Sequence, residues 1–249
     1  MRLYVAATGS AANTYVLSAG DGESLILDAG ASVKSVLPAI PDVRKVRGCL
    51  ITHEHQDHCR HWQEYGKRGI RIVSSLKTLE ALNPYGELDI SLMHCKVAIN
   101  PLVDVIRLGA FSVMAFTVQH DAVEPVGYLI RYNPTGEQLV YATDTYYLKW
   151  TFPSINYWIV ECNYCEDLID GEADKTLVNR LRESHMSLRR LVDVFKANDT
   201  TEAAKVVLVH LSDKRSNESR MIKEVSAVTD AEVVAAHNGD LIDLERTPF

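Results

Sequence analysis

The 249-residue chain predicts an α/β layered fold, two packed β-sheets with helices outside them. Three observations carry that prediction. Short apolar, β-branched runs recur along the chain, each bounded by Gly, Pro, Asn, Asp or a charged residue. Helical periodicities fall between them. Polar side chains capable of chemistry stand at or just past the ends of the runs, where the strands of a sheet would bring them to one rim.

The strand-like runs are residues 3–6, 14–17, 25–27, 48–52, 71–74, 111–118, 126–131, 139–143, 155–160 and 206–209. The last, inside KVVLVH, has too little alternation for a half-exposed strand and reads as buried on both faces. Ser187 is a suitable N-cap for a helix with Leu188, Leu191, Val192 and Phe195 in an i, i+3, i+4, i+7 stripe. Shorter helical patterns lie at 33–40, 58–65 and 217–228. No repeat, low-complexity tract or linker interrupts the chain, so a single domain over 1–249 is expected.

An apolar share of 47% with 24% charged residues is the composition of a soluble globular enzyme. The net charge of −7 supplies no global basic field to attract nucleic acid, which leaves local patches as the only electrostatic route to such a partner. Residues 3–20 carry no charge but are too rich in Thr, Ser, Asn and Gly for a membrane span or a signal peptide. Five cysteines, an odd number in a chain that needs no staples, point to a reducing compartment and hence the cytoplasm. A monomer or homodimer without membrane association is expected.

The stretch Leu50-Ile-Thr-His-Glu-His-Gln-Asp-His-Cys59 crowds three histidines and two acids directly behind an apolar run. Side chains that are costly to bury would be scattered unless a cation were to sit between them. His53 and His55, two apart in extended backbone, point to the same side, while Asp57 and His58 follow as the chain turns into a helix. Two metal ions roughly 3.5–4 Å apart would use such a split. Further ligands are at hand in His120, Asp144 and His210, each following a strand-like run. Asp28 and Glu161 stand at equivalent places. Lone histidines at 61, 94 and 237 read as ordinary core or surface residues, and Asp121 as a turn former.

His-Glu-His-Gln-Asp-His at 53–58, with Asp28 upstream and His120, Asp144 and His210 downstream, resembles the metallo-β-lactamase superfamily. The resemblance spans residues 28 to 210. It implies a four-layer αββα sandwich with the site along one edge of the sheets. It also implies that His53, His55 and His120 bind one divalent metal and Asp57, His58 and His210 the other. Asp144 would bridge them and Asp28 would brace the loop from behind. Thr8-Gly-Ser-Ala-Ala-Asn13, Glu161-Cys-Asn163, His185-Met-Ser187 and His210-Leu-Ser212 resemble the YycJ/WalJ-like, ribonuclease Z-related branch. That branch is associated with phosphodiester cleavage, including DNA exonuclease activity. Ala12 and Tyr164 depart from its usual Gly and His.

These readings predict a binuclear phosphodiesterase, with nucleic acid or a small phosphodiester such as a cyclic nucleotide as substrate. Two cations, Zn²⁺, Mn²⁺ or Fe by donor chemistry, would lower the pKa of a bridging water from about 15.7 toward about 7. His185 is the candidate acid for the leaving alkoxide, with Glu161 on its other ring nitrogen and Asp57 beside them in the catalytic set. Ser10, Asn13 and Ser187 are candidate donors to phosphate oxygens. A lactone, thioester or β-lactam hydrolase would not need the Glu161/His185 pair, and the 39 residues after His210 leave no helical thioesterase domain. Cys162 and Cys165 have redox-motif spacing but read as packing residues.

Overall fold

The computed structural model describes residues 1–40, 42–82, 96–170 and 174–245, so His94 lies outside the described residues. The described chain forms two compact units. One lies within residues 1–117, 122–136 and 237–243, the other within 118–121, 137–236 and 244–249.

In the first unit a seven-stranded sheet is built from β1 (Arg2–Ala7), β2 (Thr14–Ser18), β3 (Ser24–Leu27), β4 (Val46–Leu50), β5 (Ile72–Ser74), β6 (Lys96–Ala98) and the last strand, β14 (Leu241–Asp243). Its order is β14-β1-β2-β3-β4-β5-β6, antiparallel from β14 to β3 and parallel from β3 to β6. Short helices α1 (Val33–Val36), α2 (Gln56–Cys59), α3 (Trp62–Gly66) and α4 (Leu76–Ala81) lie in the loops that follow β3, β4 and β5. One core cluster joins Val16, Ile26, Cys49 and Ile72 of the strands to Val33, Trp62, Tyr65 and Leu79 of these helices. An antiparallel meander, β7 (Val105–Leu108), β8 (Phe111–Thr117) and β9 (Val126–Tyr132), completes the unit. Tyr128 of β9 is buried and donates its hydroxyl to Ile51 O (2.6 Å), tying the meander to the sheet.

The second unit holds β10 (Gln138–Ala142), β11 (Tyr157–Glu161), β12 (Lys205–Val209) and β13 (Glu232–Ala235), all parallel and adjacent in chain order. Helices α5 (Glu166–Ile169), α6 (Lys175–Ser184) and α7 (Leu188–Ala197) lie between β11 and β12, and α8 (Glu218–Ser226) between β12 and β13. Parallel neighbours need such crossovers. Val206, Val207, Leu208 and Val209 are wholly buried, as their unbroken apolar run requires. Helix starts are set by side chains: Ser187 accepts from Arg190 N, Asn217 from Arg220 N, and Asp174 from Thr176 N and Leu177 N.

All ten predicted strands form, within about two residues at each end. The four that periodicity missed, β6, β7, β13 and β14, are the outermost strands of their groups. Edge strands are short and half-wet, so their apolar signal is weak. The predicted helix at 58–65 is two pieces, α2 and α3, because His61 N turns aside to donate to Ala29 O (2.9 Å). The 33–40 helix gives way after Val36 to a 3₁₀ turn at Leu37–Ala39 that carries Pro38 at its start. No helix among the described residues is long and apolar enough to cross a membrane.

β12 is flanked on both sides by parallel strands and all five of its residues are buried, so its packing is a sensitive test of the unit's stability. Leu208→Ala is expected to lower unfolding free energy by about 2–5 kcal/mol in a denaturant titration, with the m-value retained.

Candidate metal centre

In the first unit β3 and β4 run parallel with Leu27 opposite Leu50, so the residues that follow the two strands lie side by side. Asp28 turns off β3 in the left-handed region (φ 58°), donating its amide to Leu50 O (2.8 Å). Its carboxylate is fully buried and is satisfied by three donors: Thr52 N (2.8 Å), the Thr52 hydroxyl (3.0 Å) and His58 Nδ1 (2.8 Å). Thr52 Oγ1 also lies 3.0 Å from His53 Nδ1. The rings of His53 and His58 are thereby brought to 4.3 Å between centroids, with His55 4.7 Å from His53. Asp57 Oδ2 lies 3.3 Å from His58 Nε2.

Backbone bonds lock this loop from below. Asn13 N donates to Asp57 O (2.7 Å), Gly30 N to Asn13 O (3.0 Å) and Ala29 N to His58 O (2.7 Å). A β-carbon at Gly30 would fall 1.8 Å from Asp57 O, so only glycine lets the two segments approach this closely. Thr52 and Gly30 were not singled out in the sequence. A hydroxyl beside the first histidine and a glycine two residues after Asp28 are the signals that mark them.

In the second unit the parallel register sets Ala142 beside Val160 and Val160 beside Leu208. The strand ends carrying Asp144, Glu161 and His210 are therefore neighbours. Asp144 and His210 both leave their strands with left-handed backbone (φ 49° and 56°). Glu161, fully buried, accepts four bonds. Oε1 takes His185 Nδ1 (2.7 Å) and His210 Nδ1 (2.9 Å), and Oε2 takes the amides of Thr145 (3.1 Å) and Met186 (3.0 Å). Asp144 Oδ1 lies 3.4 Å from His210 Nδ1, and its Oδ2 lies 3.6 Å from His120 Nε2. His120 donates Nδ1–H to Ser184 O (2.9 Å).

Burial pushes the His120 imidazolium down, only partly offset by Asp144, which favours the neutral ring. Burial acts the same way on His185, but there the Glu161 charge and hydrogen bond, with Asp144, outweigh it and hold the ring above its ordinary value. Burial raises Glu161, yet the charge and hydrogen bond of His185 with the bond from His210 leave it below the usual carboxylate range.

The donor set fits divalent cations. His53, His58, His120 and His210 each have Nδ1 engaged by a hydroxyl, carboxylate or carbonyl, so Nε2 is the nitrogen each could offer to a cation. Within the second unit, ligand atoms of Asp144, Glu161, His185 and His210 all lie within 4.8 Å of one another. Glu161 has both oxygens occupied by donors, so it orients the imidazoles around it. Imidazole and carboxylate donors suit Zn²⁺, Mn²⁺ or Fe.

Of the expected phosphate donors, two are buried and one is exposed. Asn13 is buried, with Nδ2 3.0 Å from Gly9 O and 3.1 Å from His58 Nε2, and Ser187 is the buried N-cap of α7. Ser10 is exposed. Cys162 and Cys165 are free and buried, and burial raises both thiols above their usual value, as packing residues require. His61 pairs with Glu64 (2.8 Å) on the surface.

A family model described as "Beta-lactamase superfamily domain" matches residues 24–211. The chain is 28% identical over 174 residues to "Exodeoxyribonuclease YycJ" of Bacillus anthracis, covering 66% of this chain and 64% of that relative's length. Among solved structures, the metallo-beta-lactamase fold protein YhfI from Bacillus subtilis superposes with a TM-score of 0.71 at 19% identity, over 97% of this chain and 98% of that one. The short form of human tRNase Z gives 0.66 at 15% identity, over 98% and 100%.

Removal of the buried brace offers a direct check on the loop. Asp28→Ala is expected to weaken metal binding by about 10- to 100-fold, read as metal retained after dialysis against a graded chelator series, with native circular dichroism. Retention equal to the parent would remove Asp28 from the site.

With the model matching three quarters of its length and the two mixed sheets and flanking helices in place, the chain belongs to the beta-lactamase superfamily of metal-dependent hydrolases and has the metallo-β-lactamase fold.

Proposed function

We propose that the protein is a cytoplasmic, binuclear metal-dependent phosphodiesterase acting on nucleic acid, with activity of the DNA exonuclease kind. By the family resemblance, His53, His55 and His120 would hold one metal, Asp57, His58 and His210 the other, with Asp144 shared. When bound, two divalent cations supply Lewis-acid polarisation of a phosphoryl oxygen and acidify bound water.

The observation that carries the reading is the single Glu161 oxygen that accepts from both His185 and His210. A phosphodiester leaves as a poor alkoxide that needs a proton, whereas a thioester expels a thiolate that leaves without such help. Glu161 fixes the Nδ1–H tautomer of His185 and favours its protonated form, so Nε2–H is available to the leaving oxygen. The same carboxylate orients His210, so the proton donor and a metal ligand are held to one ruler. The stacked rings of His185 and His210, 5.4 Å apart, agree with this arrangement. The likeness to an exodeoxyribonuclease supports nucleic acid as substrate. The net charge of −7 favours a second reading, a small phosphodiester such as a cyclic nucleotide.

Metal analysis of purified protein followed by a substrate panel tests the proposal: bis-p-nitrophenyl phosphate, linear single- and double-stranded DNA, RNA, cyclic mononucleotides and a thioester. Polymer cleavage that falls steeply with added salt is the expected result, and turnover confined to the thioester would defeat the reading. His185→Ala should keep its metal content and lose about 100- to 10,000-fold in kcat on phosphodiesters. Undiminished turnover would take His185 out of the mechanism.

A further inference from the structure

We propose that a cleft in the second unit, beside His120, seats an unpaired nucleotide of a single-stranded nucleic acid, with Tyr146 as stacking platform and Arg180 as phosphate contact. This rests on the phosphodiesterase reading and names its substrate class.

The cleft has a volume of about 490 Å³, within the range of roughly 300–1,000 Å³ usual for sites of small organic groups. Its lining includes Gln119, His120 and Tyr146 on one side and Thr176, Asn179 and Arg180 of α6 on another. The geometry of α6 follows from its packing. Val178 and Leu181 are buried with Tyr164 and Ile169, so the opposite stripe of Thr176, Asn179, Arg180 and Glu183, spaced i, i+3, i+4, i+7, is exposed to the cleft.

Tyr146 is a built feature rather than a loose surface ring. Its amide donates to Gln119 O (3.1 Å), and the preceding Thr145 amide is held by Glu161. The Arg190 guanidinium lies 5.1 Å from the ring centroid and donates to Arg182 O (2.6 Å), pinning the aromatic loop to the end of α6. The ring thus has a fixed position two residues from Asp144. An aromatic platform accepts any base, but only one whose face is free, so it selects unpaired strands over duplex.

Arg180 supplies the charge. Its Nε is 3.5 Å from Asp121 Oδ2 in a pair that is about half exposed on both sides, so little holds the guanidinium against a phosphate able to accept two parallel bonds. The next exposed aromatic, Tyr147, and Lys149, 4.8 Å from the Trp150 ring centroid, continue the same loop. Asp121 and Glu183 also line the cleft, so it has no net positive charge, and stacking on Tyr146 carries the recognition with Arg180 as phosphate contact.

Fluorescence anisotropy with labelled oligothymidylate, oligouridylate and a duplex of equal length tests the assignment, in the His185→Ala protein so that bound strands persist. Both single strands are expected to bind more tightly than the duplex. Tyr146→Leu should raise Kd for the single strands about 5- to 100-fold, while Tyr146→Phe restores it to within about two-fold. Arg180→Ala should make the slope of log K against log salt shallower by about 0.7. In the otherwise wild-type enzyme, Tyr146→Leu should lower kcat/KM on oligonucleotides more than on bis-p-nitrophenyl phosphate. Single-strand binding indifferent to Tyr146→Leu, or duplex bound as tightly as single strands, overturns the proposal. So does a Tyr146→Leu loss seen only with cyclic mononucleotides. Strand binding as expected with no phosphodiester cleaved would uphold the cleft assignment and defeat the phosphodiesterase reading. Cleavage with binding indifferent to Tyr146 would do the reverse.

Discussion

A carboxylate taken out of water must find hydrogen-bond donors for its lone pairs or give up its charge, and two buried acids meet that constraint here. Asp28 is satisfied by a backbone amide, a hydroxyl and an imidazole, and Glu161 by two amides and two imidazoles. Each acid stands at the end of a parallel strand. Each converts a stretch of loop that would otherwise wander into a fixed array of ring nitrogens. The positions of His53, His58, His185 and His210 therefore depend on groups that never touch a substrate. Main-chain amides contribute to both: Thr52 N to Asp28, and Thr145 N with Met186 N to Glu161.

Backbone conformation reinforces the point. Asp28, Asp144 and His210 all have positive φ, a region that costs a side-chain-bearing residue roughly 1–2 kcal/mol and that Asp and His tolerate better than most. All three occur where a parallel strand ends and the chain must reverse sharply to leave its side chain on the rim. In each unit the strain is held by the buried strand that precedes the turn, β3 before Asp28, β10 before Asp144 and β12 before His210. Packing in the sheet and geometry at the rim are in this sense one structure.

Much of this was legible in the sequence. The ten interior and near-interior strands announce themselves by apolar runs, because burial on at least one face demands them. The ligand loop is visible because charged and imidazole side chains behind such a run have few explanations other than a cation. What was not legible follows equally from physics. β6, β7, β13 and β14 bury too little to leave a pattern. Helix α6, which carries Arg180, shows only Leu177, Val178 and Leu181 as apolar positions, fewer than two turns' worth of signal behind its Asp174 cap. Ser187 and Asn13 read as phosphate donors in the sequence, where a hydroxyl or amide near a site has several possible partners. The fold adds that Ser187 caps α7 and that Asn13 Nδ2 stands 3.1 Å from His58 Nε2.

The contact at Gly30 bears on how this chain can change over time. Because the peptide of residue 57 occupies the volume where any other amino acid would carry its first side-chain atom, codon 30 is closed to drift. Substitutions elsewhere in the loop could be absorbed by neighbours, but here the obstacle is another stretch of main chain, which no compensating mutation can shrink. Anyone diversifying the protein toward a new substrate should leave that position out of the library and spend diversity on the rim.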